Sequence, residues 1–244
     1  MSLPMLGLPT AFISALGLVL MPKLSQAAAL GRWQEVRRRV SGAMLATSVL
    51  MLPAMALLAV LGPDLGVLLF REPTAGAYLP PLAVSVALSC YRSVLACSLN
   101  GVGRQAAAAR NALLAGAAEL GLTALTVGIP GVGLKGYVLS ALVSELLGVV
   151  LNLVSLCRAA GLRPEFFRWL TAPGLAALLM GLDVNLLFQV LQDQGLSKGG
   201  SGTVCLLFGA VIYLAALSAQ GISLRALLGM EKRGYAMGAE RGKL

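Results

Sequence analysis

The sequence predicts an all-α fold: a polytopic membrane protein with about seven transmembrane helices. Of its 244 residues, 58% are hydrophobic and only 12% are charged, about half of the charged fraction usual in soluble domains. The mean hydropathy is +0.85. A soluble domain of this length could not hide so much apolar surface, and the apolar residues form runs of membrane-spanning length.

Seven apolar runs account for the predicted spans, because each is close to the roughly 20 residues that a helix needs to cross a bilayer. We therefore expect a transmembrane helical domain over residues 1–219, followed by a cytoplasmic tail over residues 220–244. Turns rich in glycine and proline separate several of the runs. The runs cover residues 1–21, 42–62, 77–98, 110–129, 136–157, 169–191 and 203–219.

Connections rich in lysine and arginine alternate with connections poor in them along the chain. The first, third and fifth connections and the tail are rich, whereas the second, fourth and sixth carry a single basic residue each. The positive-inside rule places the rich connections in the cytoplasm. We expect a multi-pass protein of the inner (plasma) membrane, with its N-terminus outside and its C-terminus cytoplasmic. The arginines of the first and third connections are Arg32, Arg37, Arg38, Arg39, Arg104 and Arg110.

The first connection has the pattern of a short amphipathic helix over residues 23–40. Leu30, Trp33, Val36 and Val40 recur at spacings of three and four, and the arginines lie around the other side. Such a segment fits a helix lying on the cytoplasmic membrane surface, with its tryptophan at headgroup depth. A solvated linker is the alternative interpretation.

Four ionisable residues lie inside the apolar runs: Arg92, Glu119, Glu145 and Asp183. A charge near the centre of a span costs about 2.5–3.5 kcal/mol, whereas each Leu, Ile, Phe or Val returns about 0.3–0.6 kcal/mol. In run 110–129 the strongly apolar residues return only roughly 3 kcal/mol, so Glu119 nearly cancels them. This helix is therefore expected to need neighbouring helices that satisfy Glu119.

Polar residues at helical spacing accompany three of these charges. Ser85 and Ser89 share a face with Arg92. Asn111 shares a face with Glu119, and Asn152 shares a face with Glu145. Counted from the cytoplasmic ends, the depths of the charges suggest that Arg92 pairs with Glu119, and that Glu119 and Glu145 share a proton or a cation. A polar stripe faces a bundle interior or a water-filled cavity, which makes these residues, with Asp183 as a weaker candidate, the predicted substrate or ion site. An ion pair that only joins helices, and snorkelling to the lipid edge, remain alternatives.

Composition argues against several other classes of protein. The chain has no histidine, and its four cysteines form no CxxC pair, so we predict no metal site, no cofactor and no enzymatic catalysis. The net charge of +9 lies in the connections without interleaved aromatic residues, so no nucleic-acid partner is expected. Residues Gly131 to Gly136 match G-x-G-x-x-G, but they join two membrane spans and form a turn rather than a dinucleotide site.

Several segments together carry a family resemblance. In their order and spacing they resemble the second half of a stage V sporulation protein B-like flippase, a member of the multidrug/oligosaccharidyl-lipid/polysaccharide (MOP) superfamily. The similarity extends over about Leu8 to Leu170. The segments are Pro22–Trp33 (PKLSQAAALGRW), Arg37–Ser41 (RRRVS), Leu68–Phe70 (LLF), Asn100–Arg104 (NGVGR) with Arg110-Asn111, and Pro130–Gly136 (PGVGLKG).

The resemblance implies about fourteen helices in two lobes, of which this chain would supply helices eight to fourteen. It also implies translocation of a lipid-linked polysaccharide or peptidoglycan precursor by alternating access. The implied partners are membrane lipid, the lipid-linked glycan or a small-molecule substrate, and a missing N-terminal lobe on the same or a separate chain. In this interpretation Arg92 attracts the phosphate of the substrate. Two alternatives remain: a cation-coupled multidrug-type exporter that uses Glu119 and Glu145, and a non-transporting membrane fragment or scaffold.

Overall fold

A computed structural model describes residues 17–70, 73–129, 133–194 and 198–220. Most of the first predicted span and nearly all of the predicted tail lie outside these residues. Helices connected by short turns make up the described chain, and no β-strand occurs within it. The predicted all-α class is therefore confirmed.

Seven helical segments follow one another in the described residues. The first, α1, covers residues 17–29. A π-helical turn over Phe167–Thr171 leads directly into α6. The other segments are α2 (Trp33–Phe70), α3 (Pro73–Gly101), α4 (Gln105–Val127), α5 (Gly133–Ala160), α6 (Ala172–Asp193) and α7 (Lys198–Ala219).

Five helices in the described part of the chain are long and apolar enough to cross a membrane. They lie in α2, α3, α5, the π-turn with α6, and α7, which confirms a multi-pass membrane protein. Helix α4 is 23 residues long but is not among them. Its sequence combines Arg110 and Glu119 with many alanines, as expected for a helix that depends on its neighbours.

The helices pack side by side, with α2 between two groups of helices. One side of α2 contacts α3, which contacts α5, and α4 packs mainly on α5; the other side of α2 contacts α6 and α7. Two apolar cores result. The first joins α1, α2, α3 and the end of α5 around residues such as Leu24, Val36, Leu99 and Leu156. The second joins α2, α6 and α7 around Met180, Val184 and Leu217.

The structure divides the predicted amphipathic segment between α1 and α2. The chain turns at Gly31, whose φ of 68° is in the left-handed region that favours glycine. Val36 and Val40 are buried in the first core, while Leu30 and Trp33 remain exposed. Only part of the amphipathic face is thus open to a membrane surface, because α2 turns the rest of it towards α3 and α5.

The three basic connections between described helices lie at the same end of the bundle. A Cβ added to Gly101, at the end of α3, would lie 2.8 Å from Leu24 Cβ of α1, so these two helices approach closely there. At the start of α2, Arg37 Nε donates a hydrogen bond of 3.0 Å to the carbonyl oxygen of Ala160 at the end of α5. The positive charge of the first, third and fifth connections is therefore gathered on one surface.

Candidate functional site

An ion pair between α3 and α5 is the central feature of the polar interior. Arg92 Nε lies 2.6 Å from Glu145 Oε2, and Arg92 Nη2 lies 3.1 Å from Glu145 Oε1. This bidentate geometry gives two charge-assisted hydrogen bonds. The Glu145 side chain is 14% exposed and that of Arg92 is 33% exposed. The pair therefore lies at the edge of the interior, with the guanidinium on its more open side.

Gly148 makes the space that the Arg92 side chain occupies. A Cβ at position 148 would lie 2.3 Å from Arg92 Cδ and 3.2 Å from Arg92 Cγ. Gly148 follows Glu145 by three residues and so shares its helix face. The pattern Glu-x-x-Gly on α5 therefore supplies both the carboxylate and the room for its partner. The sequence places Gly148 on the same helix face as Glu145, Asn152 and Ser155, but only the structure shows that it leaves room for Arg92.

The predicted partner of Arg92 was wrong: the arginine pairs with Glu145 rather than with Glu119. The reason is the packing order, because α3 packs much more extensively against α5 than against α4. Glu119 instead accepts a hydrogen bond of 3.4 Å from Ser144 Oγ, which also lies 2.8 Å from the carbonyl oxygen of Ala115. Within the described chain no hydrogen bond joins Glu119 to Glu145, so the structure gives no direct contact through which they would share a proton.

A buried amide cluster connects α4, α5 and α3. Asn111 Nδ2 donates to Asn152 Oδ1 at 3.0 Å and to Ser155 Oγ at 2.9 Å. Asn152 Nδ2 lies 3.4 Å from the backbone oxygen of Arg92. Asn111 and Asn152 are each at most 3% exposed. Because an unpaired buried amide is costly, these hydrogen bonds set the register of the three helices.

The contacts between α4 and α5 form a polar seam, which we define as Asn111, Glu119 and Thr126 of α4 with Ser140, Ser144, Asn152 and Ser155 of α5. Thr126 Oγ1 and Ser140 Oγ are 3.3 Å apart at its far end. Thr123 Oγ1 is buried beside the seam without a hydrogen-bond partner. The seam supplies the neighbours that α4 was expected to need.

Asp183 lies apart from the seam, on α6. Its side chain is partly buried, and α6 packs on α2 and α7 rather than on α4 or α5. Of the predicted site residues, the structure therefore brings together Arg92, Glu145, Asn111, Asn152 and, through Ser144, Glu119. Asp183 is not part of this group. In the described residues no group of three or more Cys, Asp or Glu side chains could hold a metal ion.

The arginines of the first and third connections have different surroundings. Arg32 and Arg39 both pair with Glu35, and Arg37 binds the carbonyl group of Ala160. Arg38, Arg104 and Arg110 are exposed as well, and within the described residues they form no salt bridge.

The sequence of the chain matches a known family over most of its length. The family model of the lipid II flippase MurJ covers residues 2–199. The chain belongs to the lipid II flippase MurJ family. This family consists of membrane flippases for lipid-linked peptidoglycan precursors, which confirms the flippase resemblance and does not favour the multidrug-exporter alternative. A comparison with curated proteins gives no significant match.

Proposed function

We propose that this chain binds the anionic head group of a lipid-linked peptidoglycan precursor through Arg92 during flipping. The family match supports the transport of such a lipid. We choose Arg92 because its side chain, although paired with Glu145, is still 33% exposed. A guanidinium has five N–H donors, and the pair with Glu145 uses those on Nε and Nη2. The remaining donors can bind a phosphate group on the open side.

Glu145 has a clear role in this proposal. An unpaired arginine at membrane depth is costly, so the carboxylate compensates its charge while no substrate is bound. Asn152 and Gly148 position the arginine, the first by a hydrogen bond to its backbone and the second by leaving room for its side chain. Asn111 holds Asn152 in place. The chain then acts by binding and moving its substrate, without covalent chemistry.

Transport assays on paired variants test this role. We expect Arg92→Ala to lose at least about tenfold of the flipping rate of the complete protein, since removing a charge-assisted contact costs about 1.5–3 kcal/mol. Arg104→Ala, which changes an exposed arginine of the α3–α4 turn, is the matched control and should flip normally. Unchanged flipping in Arg92→Ala would contradict the proposal.

A double variant separates head-group binding from a purely structural ion pair. Replacing a buried ion pair by apolar residues of similar volume is often neutral for stability. If the pair only joins α3 to α5, the double variant Arg92→Met, Glu145→Met should flip at the normal rate. If Arg92 binds the head group, the same variant should accumulate in the membrane but remain inactive.

We also propose that a second lobe covers the face that carries Arg92, and that the basic connections are cytoplasmic. The gathering of three basic connections at one end of the bundle supports this orientation. A fluorescent protein fused after Gly103 should fluoresce, and alkaline phosphatase fused after Gly128 should be active; the opposite pattern would reverse the topology. A membrane-extracted product of about twice 25.1 kDa would place both lobes on one chain, whereas a product of 25.1 kDa would require a separate partner.

A further inference from the structure

A groove lies at the end of α5, on the surface of the bundle. It has a volume of about 570 Å³, within the range of small-molecule sites of about 300–1,000 Å³. Its walls are apolar except for one cationic side chain. The residues that form it include Val150, Leu153, Val154 and Arg158 of α5 and Pro164 and Phe166 of the following linker.

Several contacts hold the linker in place over α5, so the groove is pre-formed. Gly161, with a φ of 62°, turns the chain back at the end of α5. Leu162 is buried in the first core, and Trp169 Nε1 donates a hydrogen bond of 2.8 Å to Ser41 Oγ of α2. The ring of Phe166 packs edge-on against Trp169, with 6.0 Å between their centroids. The outer wall of the groove is thereby attached to α2.

The groove lies on the opposite side of α5 from the ion pair. Val154 follows Glu145 by nine residues, which is two and a half helical turns. Val150 and Val154 are 47% and 41% exposed, whereas Gly148 and Asn152, on the Glu145 side, are buried. An occupant of the groove is therefore separated from Arg92 by the thickness of the helix, which argues against the head group of the transported substrate.

The charge at the mouth of the groove favours an anion. Arg158 lies in the last turn of α5, at the end of a span that covers Gly133–Ala160, and Arg163 follows in the linker. Both arginines are exposed, and in the described residues no carboxylate forms a salt bridge with either. The nearby Glu165 already has an interaction of its own. An apolar groove that ends at an exposed arginine at the membrane surface has the chemistry of a phospholipid site.

We propose that this groove binds an anionic membrane phospholipid, with an acyl chain along Val150 and Val154 and the phosphate at Arg158. The lipid would cover the apolar wall and brace the α5–α6 linker, which joins the α3–α5 side of the bundle to the α6–α7 side. This site is distinct from the proposed head-group contact at Arg92 and does not depend on it.

Quenching by brominated lipid tests the site in the full-length protein. Phe166→Trp, in a Trp33→Phe background, places a fluorescent reporter at the groove. The buried Trp169 remains, so the Trp33→Phe protein without Phe166→Trp supplies the baseline that is subtracted. The protein is reconstituted in vesicles that contain equal mole fractions of phosphatidylglycerol and phosphatidylcholine, with the bromine on the acyl chains of one or the other. We expect brominated phosphatidylglycerol to bind about fivefold more strongly, since one arginine at an anionic surface contributes about that factor.

Two matched pairs of variants assign the effect to the groove. Arg158→Gln should abolish the preference for phosphatidylglycerol, whereas Arg104→Gln should keep it. Val154→Phe should reduce quenching by filling the groove; Val143→Phe, equally exposed at 41% and three turns away on the same face, should not. Equal quenching by the two lipids, or the same preference in Arg158→Gln as in Arg104→Gln, would overturn the proposal. Absence of quenching by either lipid would also overturn it, by showing that protein covers the groove.

Discussion

Substituting Gly148 by alanine should break the Arg92–Glu145 pair without changing either charged residue. The new Cβ would lie 2.3 Å from Arg92 Cδ, whereas carbon atoms in contact are about 3.5–4.0 Å apart. The arginine stem must therefore move by about 1.2 Å or more. Because Arg92 Nη2 is already 3.1 Å from Glu145 Oε1, this movement takes at least one of the two hydrogen bonds beyond the usual limit of about 3.2 Å.

The cost follows from two opposing effects. Loss of the pair removes about 2 kcal/mol, within the 1.5–3 kcal/mol range of charge-assisted hydrogen bonds. Replacing glycine by alanine inside a helix returns up to about 1 kcal/mol. Gly148→Ala should thus lower the free energy of unfolding by about 1 kcal/mol. Gly116→Ala in α4, where a Cβ meets nothing within 4 Å, should instead be neutral or raise it by up to about 1 kcal/mol.

Reversible unfolding in mixed detergent micelles, followed by circular dichroism, measures both changes. The decisive comparison repeats Gly148→Ala in an Arg92→Ala background, where the obstructed side chain is gone. There the glycine substitution should be neutral or stabilising. An equal loss of stability in both backgrounds would refute the argument, because the cost could not then come from displacing Arg92.

Three further substitutions address other contacts, each measured in the same unfolding assay. Asn111→Ala should cost about 1–2 kcal/mol, since it removes a buried and a partly buried hydrogen bond between α4 and α5. An unchanged free energy of unfolding would show that the seam does not hold α4. Trp169→Phe should cost about 1 kcal/mol by removing the hydrogen bond to Ser41, and adding Ser41→Ala should then cost little more; full additivity would argue against that bond. Gly209→Ala should loosen α6 from α7 at a cost of about 1–3 kcal/mol, because its Cβ would lie 2.8 Å from a methyl group of α6. Gly202→Ala is the control: its Cβ would meet nothing within 4 Å, so it should not show this loss of stability.

The properties of α4 show why a membrane helix with a charged residue inside its span needs a neighbouring helix. Its sequence predicted a marginal helix, and it is not among the helices apolar enough to cross a membrane unaided. In the structure it packs mainly on α5, through hydrogen bonds from Asn111 and to Glu119. The insertion of α4 is therefore expected to depend on α5, which follows it in the chain.

The sequence by itself determined the class of the protein and the helices that carry charge. Hydrophobicity, run length and the alternation of basic connections are one-dimensional properties, and the bilayer converts them directly into helices and their order. The polar stripes that contain Asn111, Glu145 and Asn152 were also visible, because helical periodicity places residues three or four apart on one face. The family resemblance was carried by short segments in the right order, and the family match confirmed it.

Only the tertiary structure decided which polar stripe packs against which other polar stripe. The partner of Arg92 depends on α3 lying against α5, and the packing order of helices is not a property of any one helix. The contact of Trp169 with Ser41 joins residues 128 positions apart, and no local pattern predicts such a pair. Depth along the membrane normal, which the sequence does give, left Glu119 and Glu145 as similar candidates. The lateral position of each helix, set by side-chain packing such as the space left at Gly148, chose between them.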